Sequence, residues 1–85
     1  MQKQYKFFKK QDDYGEVKTI AMVMTVTNDN GEKVTLKAIH VVSDDQLDAV
    51  TSMSDAEILS LTETTMNASF SDQDISDAFT SPLAV

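Results

Sequence analysis

Residues 17–42 read VKTIAMVMTVTNDNGEKVTLKAIHVV, two apolar-rich segments separated by Asn28-Asp29-Asn30-Gly31. Val17–Thr27 and Lys33–Val42 are rich in β-branched residues and alternate in polarity, the period-2 pattern of strands that bury one face. Between them, Asp29 and Asn30 fit a type I turn, with Gly31 in the left-handed conformation of a G1 bulge. Closing this three-residue loop sets Asn28 opposite Glu32. Val26 then faces Val34, Met24 faces Leu36, Met22 faces Ala38 and Ile20 faces His40. A two-residue Asn30-Gly31 turn would set Val26 against Thr35 and Met24 against Lys37, mixing apolar and polar residues on both faces, which a half-buried sheet does not tolerate.

Upstream, Gln4–Lys10 reads as a further strand, joined to the second by a loop of Asp13-Tyr14-Gly15 that pairs Asp12 with Glu16. An unbroken ladder from that pair puts Phe8 beside Ile20 and sends Tyr5 and Phe7 to the other side. The expected front face is Phe8, Ile20, Met22, Met24, Val26, Val34, Leu36 and Ala38, and this is the core. The expected back face carries Tyr5, Phe7, Ala21, Val23, Ile39 and Val41, diluted by threonines and by Lys33 and Lys37.

Downstream, one signature occurs three times: Val42-Ser43-Asp44-Asp45-Gln46-Leu47, Met53-Ser54-Asp55-Ala56-Glu57-Ile58 and Phe70-Ser71-Asp72-Gln73-Asp74-Ile75. The serine is an N-cap, Gln46 and Glu57 complete capping boxes, Asp74 is a shorter substitute, and the flanking apolar pairs are hydrophobic staples. Helices therefore start near residues 44, 55 and 72. The first offers Leu47, Val50 and Met53 to the core; the second offers Ile58, Leu59, Leu61 and Met66; the third offers Ile75, Ala78 and Phe79 and stops before Pro82. The fold class is α+β: a three-stranded antiparallel meander followed by three short helices packed on one face, βββααα. We expect one domain over residues 1–80 and an apolar C-terminal tail over residues 81–85. These hairpin and cap motifs are common to many folds and identify no family.

Absences narrow the function. The chain has 85 residues, enough for one domain. No run of about 18 apolar residues predicts a transmembrane helix, and Met1–Lys10 lacks the apolar stretch of a secretory signal, so the expected location is cytoplasmic. There is no cysteine, which excludes disulfides and thiolate chemistry, and His40 is the single histidine. As a general base it would need a carboxylate orienter and a nucleophile in reach, and the sequence has no serine motif of the nucleophile-elbow kind. Both glycines fall in turns, leaving no phosphate-binding loop. Asp44/Asp45/Asp48 and Asp72/Asp74/Asp77 lack the glycine and the spacing of a calcium loop. No cofactor or metal is expected, and no enzymatic activity.

All seven basic residues are lysines. Met1–Val42 holds these seven against five acids, a net +2; Ser43–Val85 holds nine acids and no base, a net −9. The acidic half repels nucleic-acid phosphates, and the lack of arginine removes the best bidentate phosphate ligand, so direct nucleic-acid binding is disfavoured. Six of the nine acids lie in expected first turns, where the helix dipole accounts for them. Asp48, Glu63 and Asp77 remain as a candidate acidic partner face. The back face of the sheet lacks helices to cover it, and the tail residues Leu83 and Val85 could enter a partner's groove. The expected function is a small accessory or structural protein acting through protein contacts and self-associating through the second sheet face, such as an assembly component of bacteria or their phages. The alternative is an acidic inhibitor that mimics nucleic acid on a basic surface of another protein.

Overall fold

The computed structural model describes residues 1–80; the tail contact expected at Leu83 and Val85 lies outside the described residues. Strands β1 (Gln2–Gln11), β2 (Val17–Thr27) and β3 (Lys33–Val41) form one antiparallel sheet with β2 in the centre. A 3-10 turn (Asp44–Gln46) leads into α1 (Leu47–Thr51), followed by α2 (Asp55–Ser69) and α3 (Asp72–Thr80). This is the expected βββααα arrangement. Among the described residues, no helix is long and apolar enough to cross a membrane.

The two hairpin loops share one construction. In each, the first side chain caps the turn: Asp12 Oδ1 accepts from the amides of Tyr14 and Glu16, and Asn28 Oδ1 from those of Asn30 and Glu32, all at 2.9 Å. Gly15 and Gly31 sit at φ +79° and +83°, as a type I turn with a G1 bulge requires. No other atom lies within 4 Å of where a Cβ on Gly31 would be, so the cost of a side chain there is in the backbone alone. Gly31→Val should therefore destabilise the domain by about 1–2 kcal/mol, the penalty of the left-handed region for an L-residue. Urea denaturation checks it, and wild-type stability would show that the loop has another geometry.

The β2–β3 register is the expected one, with Val26 opposite Val34 and Ile20 opposite His40. The β1–β2 register corrects the expectation. Asp12 does pair with Glu16, its amide donating to the Glu16 carbonyl at 3.0 Å. The ladder then slips: Gln11 pairs with Val17 but Lys10 with Thr19, leaving Lys18 as an extra residue in β2. From there on, every β1 side chain is on the opposite face from that of an unbroken ladder. Tyr5 pairs with Met24 and Phe7 with Met22, and both aromatic rings pack against the core. Tyr5 and Phe7 therefore do not belong to the back face, and Phe8 does not belong to the front. The same bulge turns Val17 inward, where it is buried.

Ile20, Met22, Met24 and Val26 from β2 meet Leu47 and Val50 of α1, Ile58 and Met66 of α2 and Ile75 of α3 in the core. In α2 the buried stripe runs Ile58, Thr62, Met66, at four-residue steps. Leu59 falls off this stripe and is 42% exposed, contrary to its expected core position. Thr62 is fully buried but satisfied, its hydroxyl donating to the Ile58 carbonyl at 2.8 Å. Polar pins hold the layers together. The Val17 amide donates to Thr51 Oγ1 at 3.0 Å, Asn67 Nδ2 donates to Tyr5 Oη at 2.8 Å, and Lys9 pairs with Asp55 at 3.4 Å.

Two of the three caps form as expected. Ser54 and Glu57 make a reciprocal capping box, and Ser71 and Asp74 make the same pair of bonds at 3.1 and 2.9 Å. Ser43 does not cap: the Gln46 amide donates instead to the Ser43 carbonyl, the bond that makes this segment a 3-10 turn. The Ser54 amide and hydroxyl hold the Glu57 carboxyl below the usual carboxylate range. A carboxyl depressed in the folded state stabilises above its ordinary pKa, and that contribution is lost as pH falls through the folded value. Ser54→Ala should cost about 1 kcal/mol at neutral pH. Glu57→Gln should flatten the decline in stability below pH 4.5, the ordinary glutamate value. Denaturation midpoints across that range report both effects, and a Ser54→Ala midpoint equal to wild type would contradict the box.

Candidate interaction surface

The sheet face turned away from the helices takes alternate residues from all three strands. Its rows are Gln2–Thr27–Lys33, Gln4–Thr25–Thr35, Lys6–Val23–Lys37, Phe8–Ala21–Ile39 and Lys10–Thr19–Val41. Phe8 is 60% exposed, Ile39 65% and Val41 69%, while Ala21 and Val23 between them are half-buried. Neighbours within a row lie about 5 Å apart and same-face residues along a strand about 7 Å apart, so these side chains form one continuous patch. Scattered apolar residues on a surface are ordinary, but a contiguous apolar patch with a polar border is the mark of a contact site. Ala21, Val23, Ile39 and Val41 occupy this face as the alternation of the sequence predicts, Phe8 takes the place expected for Phe7 opposite Ala21, and Lys6 that expected for Tyr5 opposite Val23.

The charge pattern of the face is equally distinct. All seven lysines of the chain are strand residues, and no strand residue is acidic. Three lysines are engaged: Lys3 donates to Asn67 Oδ1 at 3.0 Å, Lys9 pairs with Asp55, and Lys18 lies 3.7 Å from Asp12. The other four, Lys6, Lys10, Lys33 and Lys37, project from the uncovered face, and none has an ion-pair partner among the described residues. Desolvation raises the Asp12 carboxyl, but the amides of Glu16 and Tyr14 and the Lys18 ammonium outweigh it and hold the group below its ordinary value.

The acids occupy the loops and the helical layer. Asp48, Glu63 and Asp77 are exposed on α1, α2 and α3 respectively, one per helix, and Asp77 accepts from Gln73 Nε2 at 2.8 Å. Among the described residues, no three carboxylate or imidazole groups converge in a way that could hold a metal ion. His40 is half-buried and lines a pocket of about 230 Å³ with Gln46, Ala49, Val50, Met53 and Leu61. That lining offers neither a nucleophile nor a carboxylate to orient the imidazole. A second, open groove of about 420 Å³ runs between β1 and α2, lined by Lys3, Gln4, Tyr5, Lys6, Leu59 and Glu63.

The chain matches no protein-family model, no curated protein and no solved structure. The functional reading rests on the surface itself.

Phe8, Lys6 and Lys10 are the apolar and charged members of this surface that an unbroken ladder misplaces. A signal for them is present within β1. Gln2, Gln4, Lys6, Phe8 and Lys10 form one alternate set with a single apolar member, whereas the other set contains both Tyr5 and Phe7. Weighing that alternation above the loop geometry would have placed all three.

Proposed function

We propose that this chain is a non-enzymatic accessory or structural protein that acts through protein contacts, and that it associates with its own copies through the uncovered sheet face. The observation that carries this reading is the exposed row Phe8–Ala21–Ile39 with Val23 and Val41 beside it, an apolar patch on a regular sheet that no described helix covers. Size adds to it. A domain of this length buries only about 60–65% of its unfolded surface. With no cysteine, the chain has no disulfide to supplement its core, and oligomerisation is a common supplement in such small domains.

Sedimentation equilibrium at micromolar concentration tests the proposal. The wild type should be heavier than 9.4 kDa. Val23→Lys, which removes the half-buried apolar side chain between Lys6 and Lys37 from the patch, should sediment as a monomer with an unchanged far-UV circular dichroism spectrum. A wild type that sediments only at monomer mass overturns self-association.

A further inference from the structure

We propose that association is head to tail: the lysine-bearing sheet face of one copy seats on the acidic helical layer of the next. This rests on the self-association proposed above and specifies its geometry. A two-fold pairing of the sheet face with itself is the commonest closed arrangement. Here it would set Lys6, Lys10, Lys33 and Lys37 against the same four lysines, on a face whose strands carry no acid. Like charges brought together and partly desolvated oppose association. The opposite side of the molecule supplies the missing counter-charge. Residues from Ser43 onward hold nine acids and no base, and Leu59 is exposed on α2 at the margin next to β1, where it lines a groove with Glu63 and Lys6. The sheet and the helices are thus complementary in sign. An interface between two different surfaces of one chain does not close on two copies; it propagates into a ring or an open filament. Ion pairs at its rim set the register and are screened by salt.

Reversing charge on the helical layer separates the two geometries. In Asp48→Lys/Glu63→Lys/Asp77→Lys the sheet face is untouched. A two-fold sheet-to-sheet dimer keeps its affinity in this variant, while a head-to-tail assembly loses it. Sedimentation across 50–500 mM NaCl should show wild-type association weakening by about tenfold or more, and the triple variant should remain monomeric with a native circular dichroism spectrum. Should that variant fail to fold, Asp48→Asn/Glu63→Gln/Asp77→Asn gives the same comparison with a smaller change. Lys6→Glu/Lys10→Glu/Lys37→Glu should also be monomeric alone, and mixing it with the helical-layer variant should restore assembly, because the three introduced lysines of one then face the three introduced glutamates of the other. Salt-independent association that survives charge reversal on the helices overturns the head-to-tail geometry and leaves self-association standing. A monomeric wild type overturns both.

Discussion

Met24→Lys should leave no cooperatively folding protein at 25 °C. Met24 is fully buried at the middle of the central strand, paired with Tyr5 on one side and Leu36 on the other. Both neighbours point to the helical layer, where Ile58 and Met66 complete the core. A lysine there loses the burial of the methionine side chain, worth about 1.5–3 kcal/mol. It also forces an ammonium into the interior or out of its rotamer, at several kcal/mol more when nothing pairs with it. No strand residue is acidic, so the sheet supplies no partner. A domain of this length has about 4–13 kcal/mol of stability in total, and the two losses together consume most of it. Val23→Lys, one residue away and on the other face, keeps the fold. Thermal unfolding followed by circular dichroism decides the contrast. A sharp transition for Met24→Lys near the wild-type temperature would mean that β2 presents its other face to the helices.

That contrast was legible in the sequence, because β2 and β3 carry their instructions locally. The even residues Ile20, Met22, Met24 and Val26 and their partners Val34, Leu36 and Ala38 are apolar almost without exception. The Asn28–Glu32 loop has a side chain and a glycine that permit one closure only. The helix starts at Ser54 and Ser71 were legible for the same reason: cap, acid and staple lie within six residues of one another. Ser43 shares the signature yet does not cap, because a 3-10 turn takes the amide the serine would have bound. The choice between the two helix types depends on how α1 docks against β2, a tertiary matter.

The uncovered face was only half legible. Its β2 and β3 members follow from the hairpin, but its β1 members depend on a bulge. Lys18 breaks the alternation of β2: Val17 and Ile20 are both buried, three residues apart, where a regular strand would put them on opposite faces. The break is visible as a spacing of three in an otherwise two-residue pattern, but it weighs little against a well-formed loop whose closure, continued without a bulge, dictates the whole ladder. One residue then reassigned Tyr5, Phe7 and Phe8 together, and with them Lys6 and Lys10. The bulge leaves the number of lysines on that face at four but changes which they are: an unbroken ladder would set Lys3 and Lys9 there beside Lys33 and Lys37, whereas the observed register sets Lys6 and Lys10 there.

Phe7→Ala and Phe8→Ala, adjacent in sequence, should therefore part company. Phe7 is half-buried, pairs with Met22 and packs on the core. Removing its ring leaves a void beside Met22 and should cost about 2–3 kcal/mol, below the range for a fully buried phenylalanine because part of the ring is already wet. For a domain of this size that lowers Tm by about 10–20 °C. Phe8 pairs with Ala21 on the uncovered face and is 60% exposed, so its truncation should change stability by no more than about 0.5 kcal/mol. Its effect should appear instead in sedimentation, where the variant associates more weakly than the wild type. An unbroken β1–β2 ladder reverses the order, making Phe8 the costly position and Phe7 the silent one. Stability and association measured on the same two proteins thus test the bulge at Lys18 and the contact face together: equal Tm losses would contradict the register, and a Phe8→Ala protein that associates like wild type would remove its ring from the interface.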